Sequence, residues 1–316
     1  TGDRTVYKST DSGTTWTNIK LNLDTLTQLG SDDLWDQSDY DFFFACSTRT
    51  LNGAAQDVVY LGLKEIYQLP DGKAWNSFGR IWYPDAKLHT DQHCITLHPT
   101  DPNQGLIGND GGIYSFAYNP DKKSTTFTSL NANLPITQFY GGDFHPLNAA
   151  VMVAGAQDNS TAVTQSSGSA WASIIGGDGG HTAIDPNNPN NQYGTTPQFE
   201  GLSTTQDAWK TNGADLFASL NQKSAGSPAW MVPVVLNPLN TQLLYTGGNV
   251  LCTYNMATKK WGYSPNNGST LTKGSIMCIG VAPSDGATIY TGADDGQIWR
   301  TPDSGAHWSK ISNSGL

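Results

Sequence analysis

Residues 88–94 read LHTDQHC and place His89, Asp91 and His93 at every second position. In an extended segment successive side chains alternate, so all three would project to one side. Two imidazoles and a carboxylate on one side form a donor set for a divalent cation, and also a set able to move a proton. The polar end of an ordinary strand has the same appearance. A second acidic stretch, DDLWDQSDYD at 32–41, could offer oxygen ligands to calcium but lacks EF-hand spacing. Choosing among these readings requires the elements that carry the residues.

Bulk composition narrows the classes. The 316 residues hold 17 Lys plus Arg against 27 Asp plus Glu, a net charge of −10. Phosphate backbones are bound by clustered cations, and the sequence has no basic patch, so nucleic acid is not an expected partner. No run approaches the ~18 apolar residues of a membrane span. The chain starts without Met, basic leader or transit segment, which suggests a processed chain or a segment of a longer one. Gly and Pro suit many turns, while 10 Trp and 13 Tyr are too many for a disordered chain. Cys46, Cys94, Cys252 and Cys278 form no CxxC pair, which disfavours a zinc ribbon. They could make up to two disulfides in an oxidising compartment or remain small thiols. The composition leans to a secreted or cell-surface protein, and Asn159 and Asn267 begin glycosylation sequons.

Internal repetition is the strongest signal. Residues 290–308 read YTGADDGQIWRTPDSGAHW, and residues 2–16, GDRTVYKSTDSGTTW, repeat the unit with its front clipped. Weaker copies are LPDGKAW (69–75), TQSSGSAW (164–171), STTQDAW (203–209) and TYNMATKKW (253–261). A hydrophobic step into Gly precedes each copy, at Tyr60, Ile107, Val153, Tyr193, Tyr245 and Tyr290, spaced by 40 to 52 residues. With the clipped copy this makes seven units. Period-2 alternation between Gly, Asn, Asp and Pro turns predicts four short strands in each. Four-stranded units of ~40–50 residues predict propeller blades, so the expectation is all-β: one seven-bladed β-propeller over residues 1–316. Its first blade lacks an inner strand, as in a segment of a longer chain with flanking domains.

STDSGTTW (9–16) and TPDSGAHW (301–308) resemble the Asp-box, or BNR, repeat shared by sialidases, xyloglucan-degrading glycoside hydrolases and sortilin-type receptors. GNDGGIYS (108–115), GAQDNST (155–161) and GGDGG (176–180) are similar to phrases of the bacterial sortilin-like and xyloglucanase-like members. The resemblance covers nearly the whole chain and implies fold more than function. Asp11 and Asp303 are expected to accept backbone N–H groups inside tight turns, with Gly13 and Gly305 at positive φ. Trp16 and Trp308 are expected to pack between blades. A sialidase reading fails on arginine: only Arg4, Arg49, Arg80 and Arg300 occur, and Arg300 belongs to a repeat strand.

In propellers of this kind, turns between second and third strands share a face with the blade crossovers, and active sites lie there. Those segments supply Asp110, Asp158, Asp178, Asp294, His181, Tyr140, Trp35, Trp82, Tyr83 and Trp230. Carboxylates accept sugar hydroxyls and ring faces cover apolar sugar faces. The leading expectation is a recognition or scaffold propeller binding glycan or protein through Trp35, Trp82, Tyr83, Tyr140, Trp230, His181 and Asp294. Two alternatives stand beside it. One is a xyloglucanase-like glycoside hydrolase, with its acid and base drawn from Asp110, Asp158 and Asp178; the other is a structural subunit of a surface assembly. The competing reading of each Asp is a turn cap. No cofactor is required, and a divalent cation is allowed for at His89, Asp91 and His93.

Overall fold

The computed structural model describes residues 6–18, 37–51, 53–70, 76–79, 87–134, 136–211, 213–265 and 269–311. Its fold class is the one expected, all-β with the sheets of a seven-bladed β-propeller. The described residues form six four-stranded antiparallel sheets and one two-stranded pair, each a simple meander of neighbours in sequence. The chain divides into two compact units, 1–136 and 137–316.

The first unit holds three sheets. The pair Tyr7–Lys8 and Thr17–Asn18 is followed by a sheet of Phe43–Leu51, Ala54–Gly62, Ile66–Pro70 and Asn76–Gly79. The third sheet is built from Gln92–Leu97, Gln104–Asn109, Gly112–Asn119 and Ser124–Ser129. Ile66, Tyr67, Gln68 and Leu69 are consecutive and all buried. A strand covered on both faces loses simple alternation, which is why this run does not read in–out. Second and third sheets share a core in which Phe78 meets Tyr60 and Phe116 edge-on, each at 5.2 Å between centroids. Such T-shaped contacts set the positive ring edge on the negative ring face. Arg49 is buried here and satisfied by Gln56 and Gln68, with its guanidinium 4.6 Å above the Tyr118 ring.

The second unit holds four sheets. The fourth comprises Gly141–His145, Asn148–Gly155, Thr161–Thr164 and Ala172–Ile175; the fifth Thr182–Ile184, Gln192–Thr195, Leu202–Thr205 and Ala214–Asp215. The sixth runs Val235–Asn237, Asn240–Gly247, Leu251–Asn255 and Lys260–Ser264, and the seventh Ile276–Val281, Ile289–Ala293, Ile298–Thr301 and Ser309–Lys310. The largest core joins fifth and sixth sheets through Tyr193, Leu202, Phe217, Leu244 and Tyr254.

The Asp-containing turns have one hydrogen-bond scheme. Ser9 Oγ accepts Gly13 N at 2.7 Å and donates to Asp11 Oδ1 at 2.8 Å, while that oxygen accepts Thr15 N at 2.8 Å. Thr301, Asp303, Gly305 and His307 repeat it, with Gly13 and Gly305 at φ of 89° and 93°. At residues 164–170 Ser166 stands in for the Asp, its Oγ accepting Ala170 N. At 205–211 the bonds correct the sequence register. Thr205 and Asp207 are the turn residues, so Trp209 occupies the glycine position, at φ 64°, and is not the repeat's closing Trp. Trp308 packs against the core of the sixth and seventh sheets and donates to Ser264 Oγ. Trp16 departs from the expected packing: it is 62% exposed and donates to its own Gly13 carbonyl. No disulfide joins the described cysteines; Cys46, Cys94 and Cys278 are exposed thiols and Cys252 a buried one. Among the described residues no helix is long and apolar enough to cross a membrane.

Candidate functional site

The LHTDQHC stretch is not extended throughout. Its strand begins at Gln92, and Asp91 sits at φ 63°, a conformation that Asp tolerates better than most residues. The register also shifts between Gln92 and Cys94, so His93 lies at a bulge. These two irregularities break the alternation that would have put three side chains on one side. His89 lies against the glycine turn of its own sheet, where a Cβ on Gly111 would come within 2.4 Å of His89 Cβ. Its Nδ1 is 3.2 Å from the Thr90 carbonyl.

Asp91 and His93 meet other partners. Asp110, in the turn between Gln104–Asn109 and Gly112–Asn119, has a carboxylate oxygen within 4.8 Å of one from Asp91. His93 Nε2 makes a short contact to Asp110 Oδ1. Tyr40 meets the His93 ring edge-on at 5.1 Å and is 66% exposed. Asp41, two residues before the second sheet's first strand, is 1% exposed and interacts with Asp91. Burial, then the neighbouring Asp91 carboxylate, push the Asp41 carboxyl up to about 7, with His93 acting weakly the other way.

Backbone bonds hold this group in place. Asp91 N donates to Lys64 O and Gln92 N to Leu63 O, tying the approach of the third sheet to the second sheet's turn. The fully buried Gln92 donates through Nε2 to the His89 carbonyl at 2.6 Å, and Asn109 Nδ2 reaches the same oxygen. Asn109 Oδ1 accepts Gly111 N, which shapes the turn that presents Asp110. Thr90 Oγ1 donates to Asp91 Oδ2 at 2.6 Å and Gln37 Nε2 to Asp91 Oδ1 at 3.5 Å.

In the second unit several expected site residues bind loops. Asp178 Oδ1 accepts Asp158 N at 2.8 Å, and Asp158 itself sits at φ 57°. Ser160 N bonds Gly177 O, and Gly179 N bonds Ala156 O, so GGDGG runs backbone to backbone against GAQDNS. Asp294 Oδ1 accepts Ser275 N, and Asp295 Oδ2 accepts Thr272 Oγ1 together with Lys273 and Gly274 N. Burial lowers the His181 imidazole and favours its neutral form. Tyr140 is half exposed and donates to Gln157 Oε1. Trp230 is half exposed, and its carbonyl accepts Gln198 N. Phe139 meets the Trp171 ring at 5.6 Å between centroids, tilted by 36°. Trp35, Trp82 and Tyr83 lie outside the described residues.

The structure thus brings Asp91, His93 and Asp110 together and adds Asp41 and Tyr40. Asp41 belonged to the acidic crossover noted in the sequence. The signal that could have singled it out is its place as the last acid of that stretch, directly before FFFAC, the opening of a core strand.

No family model matches the chain. No curated protein matches it either. Among solved structures, an ancestral GH74 enzyme is similar at 15% identity over 82% of this chain and 37% of that one, with a TM-score of 0.44. The GH74 xyloglucanase from Xanthomonas campestris is similar at 13% identity over 83% of this chain and 44% of that one, with a TM-score of 0.42. YCF48 bound to D1 peptide is similar at 13% identity, covering 80% of this chain and 78% of that one, with a TM-score of 0.40. The chain therefore spans less than half the length of the two GH74 enzymes.

Proposed function

We propose that the chain is an Asp-box propeller module, secreted or displayed at a cell surface, that binds glycan without cleaving it. The observation that carries this reading is the row Tyr40, His93 and Asp110 at the loop end of the first unit's sheets. Tyr40 offers an exposed ring next to a half-exposed imidazole, with the Asp110 carboxylate behind it. A ring face covers the apolar face of a sugar, and the His–Asp pair exchanges hydrogen bonds with hydroxyls. The chain's negative charge argues against phosphate-bearing ligands.

Hydrolysis of a glycoside needs two carboxyl groups that both reach the scissile bond. In the first unit Asp41, whose carboxyl burial pushes up, is 1% exposed and Asp91 is 6% exposed. Asp178, an alternative partner in the second unit, is engaged by the Asp158 amide.

Affinity electrophoresis against soluble β-glucans and xyloglucan tests the reading. Retardation of the wild-type chain should weaken about tenfold or more in Tyr40→Ala and in Asp110→Ala, the loss expected when a contact worth about 1.4 kcal/mol is removed. Unchanged retardation in the double variant would remove this row from binding. Release of reducing ends by the wild type, lost in Asp110→Asn, would replace recognition with catalysis.

A further inference from the structure

We propose that the second unit carries a binding row of its own, formed by Tyr140, His181, Gln198 and Trp230, that takes an uncharged stretch of sugar chain. The ligand class rests on the glycan reading, but none of these residues belongs to the Tyr40, His93 and Asp110 row.

A run of close backbone contacts joins the segments that carry the four. Tyr140 N donates to Gly155 O at 2.9 Å. A Cβ on Gly155 would collide with the Gly180 carbonyl, so these two strand ends meet only as glycines. His181 lies against Gly141, where a Cβ would come within 2.8 Å of the imidazole Nδ1. Gly180 in turn abuts Met231, with 3.0 Å from the position of a Cβ to the sulfur. Trp230, the residue before Met231, accepts Gln198 N on its carbonyl at 2.6 Å. The entries to the fourth, fifth and sixth sheets are thus held side by side.

Three observations point to a ligand. Tyr140 and Trp230 are 48% and 49% exposed, and large rings left half open to water are binding surfaces more often than ornaments of a fold. The His181 ring makes no hydrogen bond among the described residues, and burial favours its neutral form. Gln198 is exposed yet held at φ 53°, a left-handed conformation unfavourable for its side chain. Backbone outliers of this kind gather at ligand sites.

The side-chain chemistry selects the class. No member of the row is charged, and Asp178, three residues before His181, gives its Oδ1 to the Asp158 amide. A neutral imidazole offers one donor and one acceptor, and a carboxamide offers both as well. Sugar hydroxyls donate and accept in the same way, while the indole and phenol rings cover apolar sugar faces. Sulfated or phosphorylated chains would find no cation here.

Affinity electrophoresis in soluble β-glucan and in xyloglucan tests the row. Trp230→Ala should weaken retardation about tenfold, and Trp230→Phe, which keeps a ring, should retain most of it. Gln198→Gly removes the amide and suits the left-handed backbone, so binding should fall about threefold or more while Tm does not fall. In the Tyr40→Ala, Asp110→Ala double variant the residual retardation should disappear when Trp230→Ala is added. Wild-type retardation in both Trp230→Ala and Gln198→Gly would overturn this row and leave the first one standing. Retardation by sulfated glucan but not by the neutral polymers would overturn it too. Losses confined to the second-unit variants would support this row and count against the Tyr40 row alone, whereas wild type unretarded by any neutral polysaccharide would overturn both.

Discussion

Asp91 shows how one backbone angle redirects chemistry. At φ 63° it leaves the strand path, and its carboxylate turns toward Asp41 and Asp110 instead of sharing a side with His89. Glycines make close backbone approaches feasible in the second unit. A Cβ at Gly155 would lie 2.1 Å from the Gly180 carbonyl oxygen, which is backbone and cannot rotate away. Gly155→Ala is therefore expected to destabilise the chain by about 1–3 kcal/mol or more, the range for overpacking a tight site. Chemical denaturation checks this, and a loss under half a kilocalorie would show that the GGDGG loop can move aside. The thiols offer a second residue-scale readout. Cys252 is fully buried, and desolvation pushes its thiol up to about 12, while Cys46, Cys94 and Cys278 are exposed. A disulfide-exchange reagent on native chain should titrate three thiols promptly and the fourth only on unfolding.

At the scale of elements, the Asp turn joins the third and fourth strands in several sheets by the same bonds. Thr301 is completely buried, and its hydroxyl accepts both Gly305 and Asp303 N–H groups. Thr301→Val keeps the shape and leaves two donors without that oxygen, so a loss of about 1–3 kcal/mol is expected in denaturant titration. These turns also set an acid limit. Bonds from Thr211 hold Asp207 at about 2, and bonds from His307 hold Asp303 at about 2, below the ordinary carboxylate near 3.9. A depressed folded value means the ionised form favours the native state. Their contribution is complete above about pH 4 and is lost as pH falls toward 2. Tm measured against pH should fall less steeply across that window in Asp207→Asn than in wild type.

Taken as a whole molecule, the chain carries a net charge of −10 with few cations, which makes non-specific attraction to polyanions unfavourable. It should pass through a heparin column at neutral pH even in low salt; retention would reveal a basic surface that composition does not disclose. The seven-sheet, all-β character was legible because it is periodic: strands alternate, the Gly step recurs every 40 to 52 residues, and Ser/Thr-x-Asp-x-Gly marks the tight turns. Even there a register error entered at Trp209, because a Trp can mimic the motif's end while the hydrogen bonds assign Thr205 and Asp207 to its start. The candidate site was legible only as a pool of acids and rings. Sequence named Asp91, His93 and Asp110 by type and loop position, but which carboxylates touch depends on contacts between segments about 20 to 50 residues apart. Tertiary structure alone decided that Asp41 is buried beside Asp91, that His93 turns to Asp110, and that Asp178 and Asp294 are occupied by backbone amides. Local periodicity governs how a chain forms strands; the packing of one sheet on the next, a positive φ and a bulge determine where its charges meet.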